Sequence, residues 1–166
     1  MYTLGEVIRI SKNLMTDSIV LTNYTLQRGN LNGVPLERLY SNFCRLSSSY
    51  EFISTIDASN REHWLKLSEI TTTMADFIIV LKERTDIYTA QGSINGSLLN
   101  YGQRQYFSKF RDDLLLIQRA LPEKVDYKNI IIIQTDLENA VRAADASIID
   151  IKYALDAFGV GIPALR

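Results

Sequence analysis

The stretch from Asn129 to Phe158 constrains this chain more than any other. Its apolar residues Ile133, Leu137, Val141, Ala144, Ile148, Ile151, Leu155 and Phe158 recur every three or four positions. That spacing is the mark of a helix with one buried stripe. Ile131, Ile132, Ala143, Ala146, Ile149, Tyr153, Ala154 and Ala157 lie off the stripe and leave the other faces poor in charge as well. A helix of this kind requires cover on more than one side, so the sequence predicts a central C-terminal helix. The four isoleucines at 130–133 have the β-propensity of a short strand, but no second β-rich segment offers a partner, and helix is the favoured reading.

The same spacing runs through the rest of the chain. Thr3-Leu4-Gly5-Glu6 has the pattern of a capping box and opens a first helix to about Leu26. Its stripe is Val7, Ile10, Leu14, Leu21 and Tyr24, flanked by Met15 and Val20 and interrupted at Asp17 and Ser18. Arg28 to Gly33, rich in Gly and Asn, closes it with a turn. Pro35 suits the start of a second helix, along which Leu36, Leu39, Phe43, Leu46, Tyr50 and Ile53 alternate steps of three and four in a heptad, coiled-coil-like pattern. Three serines at 47–49 weaken helix propensity and predict a kink.

A second capping box, Ser59-Asn60-Arg61-Glu62, opens a third helix to about Tyr88, with Trp64, Leu67, Thr71, Met74, Ile78, Leu81, Thr85 and Tyr88 on its stripe. At about 1.5 Å per residue the third and last helices each approach roughly 45 Å, which makes the bundle elongated. Residues 91–102, with three glycines, read as the longest loop, yet they include Ile94, Leu98, Leu99 and Tyr101. A fourth helix follows from about Arg104 to Leu121, with Phe107, Phe110, Leu114, Ile117 and Leu121 inward and Pro122 ending it. Asp126 reads as the N-cap of the last helix, and Gly159 as its C-cap. The expected organisation is one domain over residues 1–158 and an apolar tail over 159–166.

Composition excludes several classes. The 166 residues are 46% hydrophobic and 22% charged, ordinary for a globular chain able to build a core. A formal charge of -1 provides no general attraction for nucleic acid or anionic lipid. Cys44 is the single cysteine and His63 the single histidine, so an intrachain disulfide, a cysteine or histidine zinc site and a di-iron centre built on two Glu-x-x-His pairs are all excluded. Cys44 is expected to serve as a small core residue. The N-terminal sequence shows no secretory signal and no run of about 18 apolar residues occurs, so the expected location is a cytoplasm or a particle assembled there.

Catalytic constellations are thin. His63 has Asp57 and Glu62 near it in sequence but no nucleophile motif. The glycines of residues 92–97 lack the lysine and preceding strand of a phosphate loop. Asp112 and Asp113 are adjacent on a helix and point in different directions, so they do not form a paired acid and base. We therefore expect no catalytic, cofactor or metal residues.

Two surfaces remain. The apolar loop and tail make Leu98, Leu99, Tyr101, Val160, Ile162 and Leu165 the expected contacts of a partner interface. At the start of the fourth helix, Arg104, Tyr106, Lys109 and Arg111 interleave cations and rings as in binders of single-stranded nucleic acid. Phe107 and Phe110 already fit the core stripe, so nucleic acid ranks well below protein as a partner. The sequence reads as an all-α, elongated antiparallel bundle of four to five helices. Its expected role is that of a non-enzymatic structural or assembly subunit, binding itself or other subunits of a complex such as a virion. The alternative is a regulatory or inhibitory module for a protein or nucleic-acid target.

Overall fold

Helix α1 (Leu4–Arg28) begins where the capping box places it. The Glu6 amide donates to Thr3 Oγ1 at 3.2 Å and the Thr3 amide to Glu6 Oε2 at 3.1 Å, so each residue satisfies the other's open backbone group. It ends at Gly29, whose φ of 72° lets its N–H turn back to the Thr25 carbonyl, a conformation that costs a side-chain-bearing residue more than glycine. After α1 come α2 (Val34–Ile56), a 3-10 turn at Ala58–Asn60, α3 (Arg61–Ala90), α4 (Tyr101–Arg119) and α5 (Gln134–Gly159). The computed structural model describes residues 3–29, 34–90, 99, 101–121 and 134–159, with backbone alone at 34–35, 87–90 and 157–159. Among the described residues there is no strand, and the fold is the all-α bundle that the spacing requires. The isoleucines at 130–133, Asp126 and residues 160–166 of the tail lie outside them, and Gly159 is the last residue of α5.

The five helices form a ring in the order α1, α2, α3, α5, α4 and back to α1. Four neighbouring pairs run antiparallel. Asp17 meets Arg38 across α1 and α2, Ser47 meets Ser68 across α2 and α3, Tyr106 meets Tyr153 across α4 and α5, and Asn23 meets Arg111 across α1 and α4. The fifth pair is parallel, because His63, Met74 and Arg84 of α3 meet Glu138, Ser147 and Leu155 of α5 in the same order. An odd ring cannot alternate direction all the way round, and α3 with α5 is where the alternation fails.

The C-terminal helix is thus one member of the ring and not its axis. Large side chains from other helices fill the centre: Phe43 of α2 reaches across to Phe110 of α4 at 6.0 Å, edge to face, and Phe107, Tyr50 and Trp64 are buried beside them. The inward line of α5 is small by comparison, with Leu137, Ala140, Ala144, Ser147, Ile151 and Ala154 buried. The predicted core of α2 is buried at every position from Leu36 to Ile53, and that of α4 from Phe107 to Leu121.

Helix α2 runs through the serines at 47–49 without interruption. Ser47 Oγ donates to the Ser68 carbonyl and Ser68 Oγ donates back to the Ser47 carbonyl, both at 2.9 Å, so small side chains let α2 and α3 approach. The second capping box does not form at Ser59. Asp57 Oδ2 closes that turn instead, accepting from Asn60 Nδ2 and from the buried Trp64 Nε1, each at 2.9 Å. In α1, Tyr24 and Val20 are exposed while Ser11, Ser18, Thr22 and Thr25 are buried. Each of these hydroxyls donates to a carbonyl one turn back, which hides its polarity and makes it a small core residue. Finally, α4 starts three residues earlier than the spacing predicts, at Tyr101.

A candidate docking face on helices α4 and α5

Two lines of side chains run along the outer side of the α4–α5 pair. On α4 they are Tyr106, Lys109, Asp113, Leu116 and Ala120; on α5, Arg142, Ala146, Ile149 and Tyr153. Steps of three and four keep each line on one helical face. At one end, the rings of Tyr106 and Tyr153 stack at 5.2 Å with 25° between their planes, and Lys109 Nζ lies 5.4 Å from the Tyr106 ring centre. Beyond them the pair leaves a groove of about 510 Å³, lined in part by the small residues Ala120, Ala143 and Ala146. Leu116 stands in it at 51% exposure, and Ile149 and Tyr153 flank the same side at 54% and 50%. The groove's charges are Asp113, Arg119, Asp136 and Arg142.

Asp113 is the most perturbed group on this face. Its Oδ2 is buried without a hydrogen-bond partner, and Asp150 of α5 stands beside it. Burial, then the hydrogen bond and charge of Asp150, and then the charge of Asp112 push the Asp113 carboxyl up to about 8, against a smaller opposing effect from Lys109. Two ionised carboxylates offer no donor to each other. A proton on Asp113 supplies one.

The predicted surface residues fall in different places. Leu99 is buried, and its N–H donates to the Gly29 carbonyl at 2.9 Å, anchoring the chain at the end of α1. Tyr101 is 77% exposed, with its hydroxyl accepting from Gln105 Nε2. Leu98, Val160, Ile162 and Leu165 lie outside the described residues. The four residues of the basic and aromatic patch do not share one face. Arg104 donates to the Leu26 carbonyl at 3.3 Å and Arg111 to Asn23 Oδ1 at 3.1 Å, both toward α1. Tyr106 turns the other way, to Tyr153 of α5, and Lys109 lies over the Tyr106 ring. The Asp113–Asp150 pair was not singled out from the sequence; Ala146, Ile149 and Tyr153 were, as apolar residues off the α5 stripe, but as a face to be covered and not as a line with Arg142.

Elsewhere the chemistry is sparse. His63 Nε2 lies 3.9 Å from Glu138 Oε1 at the α3–α5 contact. Cys44 is half-buried, not in the core, and lines a second groove of about 460 Å³ between α1 and α2 with Val7, Leu14, Arg45 and Phe52. Among the described residues no cluster of His, Cys, Asp and Glu could hold a metal ion, and no helix is long and apolar enough to cross a membrane.

Fold and surface together define a five-helix bundle with a partly apolar, charge-bearing outer face. The chain matches no family model, no curated protein and no solved structure.

Proposed function

We propose that this chain is a non-enzymatic assembly subunit that pairs with a second copy of itself through the outer face of α4 and α5. The observation that carries the reading is the layout of charge about Leu116. Asp150, beside Asp113 three residues before Leu116, supplies the acidic end, and Arg119 three residues after it supplies the basic one. In antiparallel two-fold pairing centred on Leu116, the Asp113 and Asp150 end of one copy faces the Arg119 and Arg142 end of the other. The exposed Leu116 side chains meet at the axis, and Ile149 and Tyr153 extend the apolar contact. A self-complementary patch of this kind is what a closed dimer requires.

The test is solution mass by light scattering over a concentration series. The full chain is expected to form a dimer, and the double substitution Arg119→Glu with Arg142→Glu is expected to yield a monomer with unchanged helix content. A full chain that stays monomeric at its highest soluble concentration, or a dimer indifferent to both that double substitution and Leu116→Glu, overturns the reading.

A further inference from the structure

The seam between α4 and α5 holds a carboxyl from each helix, at a point where the groove lets in water on one side and the core excludes it on the other. Asp113 is only half-buried as a residue, but its Oδ2 is sealed and has no hydrogen-bond partner among the described residues. Asp150 faces it from α5. From α4 itself, Asp112 adds negative charge and Lys109 offsets part of it. On the other flank of α4 the hydrogen-bond partners from α1 are Asn23, Thr16 and the Leu26 carbonyl, all uncharged. Arg119, Arg142 and Asp136 line the groove, but none of them is among the groups that move the Asp113 carboxyl.

We propose that this seam is a proton-operated joint: one proton shared by Asp113 and Asp150 holds α4 and α5 together, and its loss in mildly alkaline solution loosens them. With the proton, the pair carries one negative charge and the sealed oxygen belongs to a hydrogen-bonded carboxyl. Without it, two anions confront each other at the edge of the core, beside Asp112. Separation of the helices and entry of water relieve both the repulsion and the unmet acceptor. The sign is fixed by the upward displacement of Asp113. An acid held above its ordinary range in the folded chain favours folding at low pH, and that contribution declines as pH rises from about 4 toward about 8. Any consequence for pairing of copies rests on the function proposed above; the loosening itself does not.

The experiment is amide hydrogen exchange of the full chain at pH 6 and pH 9, corrected for intrinsic rates, on the native sequence and on Asp113→Asn and Asp150→Asn. In the native chain, protection along α4 and α5 is expected to fall about tenfold at pH 9, the effect of one unit past a titration midpoint. Protection along α2 and the part of α3 that packs on it is expected to hold. In Asp113→Asn, which cannot lose the proton, the fall at the seam is expected to disappear, and Asp150→Asn is expected to reduce it. His63→Gln serves to separate the histidine at the α3–α5 contact. Unchanged seam protection in the native chain, or the same fall in Asp113→Asn, overturns the proposal. Repeating the comparison in the Arg119→Glu, Arg142→Glu chain keeps the two readings apart. A seam that still loosens in a chain that never pairs supports the joint, whatever becomes of the dimer.

Discussion

Asp57 is the cheapest place to test whether the bundle is held as described. One oxygen, Oδ2, accepts from Trp64 Nε1 and Asn60 Nδ2, both at 2.9 Å, and both donors belong to buried residues. Asp57→Ala removes the acceptor without touching the core volume, so the indole N–H is left in the interior with no partner. A hydrogen bond to a charged acceptor contributes about 1.5–3 kcal/mol, and the partial exposure of Asp57 places the expected loss near ~2 kcal/mol. For a domain of this length that corresponds to a fall in melting temperature of roughly 4–8 °C. Asp57→Asn retains a carbonyl acceptor and should lose about half as much. Urea unfolding followed by circular dichroism measures each variant. A double-mutant cycle with Trp64→Phe isolates the indole bond and should return a coupling of about 1 kcal/mol. An Asp57→Ala chain within about 0.5 kcal/mol of the native one, with no coupling in the cycle, would refute the reasoning.

Three further outcomes are expected. Tyr50 is fully buried against Trp64, burial raises its hydroxyl's pKa, and that hydroxyl has no partner among the described residues. Tyr50→Phe should therefore leave stability unchanged or raise it by up to ~1 kcal/mol in the same urea assay, and a clear loss would mean that the hydroxyl is bonded. Arg84 of α3 donates to the Leu155 carbonyl at 3.1 Å, near the C-terminal end of α5, whose own last turn holds no basic residue. Arg84→Met should cost about 1 kcal/mol and fray that end, seen as faster amide exchange in the last turn of α5. Between pH 5 and pH 9 the native chain should lose ~1–2 kcal/mol more stability than Asp113→Asn, after discounting for water in the groove; equal pH profiles refute this.

The sequence carried the helices well wherever large apolar residues mark the inward face, as in α2 and α4. It carried α1 poorly, because an apolar search cannot see Ser11, Ser18, Thr22 and Thr25 as core residues. They become so only when each hydroxyl turns back on its own helix. The interruption at Asp17 and Ser18 was visible but not its use. Asn42 of α2 reaches both residues, and Arg38 grips Asp17 at 2.6 Å, so the gap is a polar clasp between helices. The seven-residue interval between Arg104 and Arg111 places both on one side of α4, away from Tyr106 and Lys109, and the division of that patch was legible in the spacing. The Asp113–Asp150 pair was not. Its members are far apart in sequence, and only the antiparallel register of α4 on α5 brings them together.

The ring explains why α5 keeps an open face. Its sequence demands cover on more than one side, yet a ring gives each helix two neighbours. The parallel contact with α3 occupies the side of Glu138, Ser147 and Leu155, and the antiparallel contact with α4 occupies the side of Asp150 and Ala143. Ile149 falls beyond both, and Tyr153 stacks on Tyr106 at the outer edge of the α4 contact; both are half exposed, where a central helix would have hidden them. Large aromatic residues on α2 and α4, Phe43 and Phe110, meet across the ring in the place a central helix would take. Ile149 and Tyr153, one turn apart on α5, are exposed, as is Leu116 on α4. The apolar excess that first singled out the C-terminal helix is, in the folded chain, partly core and partly exposed surface.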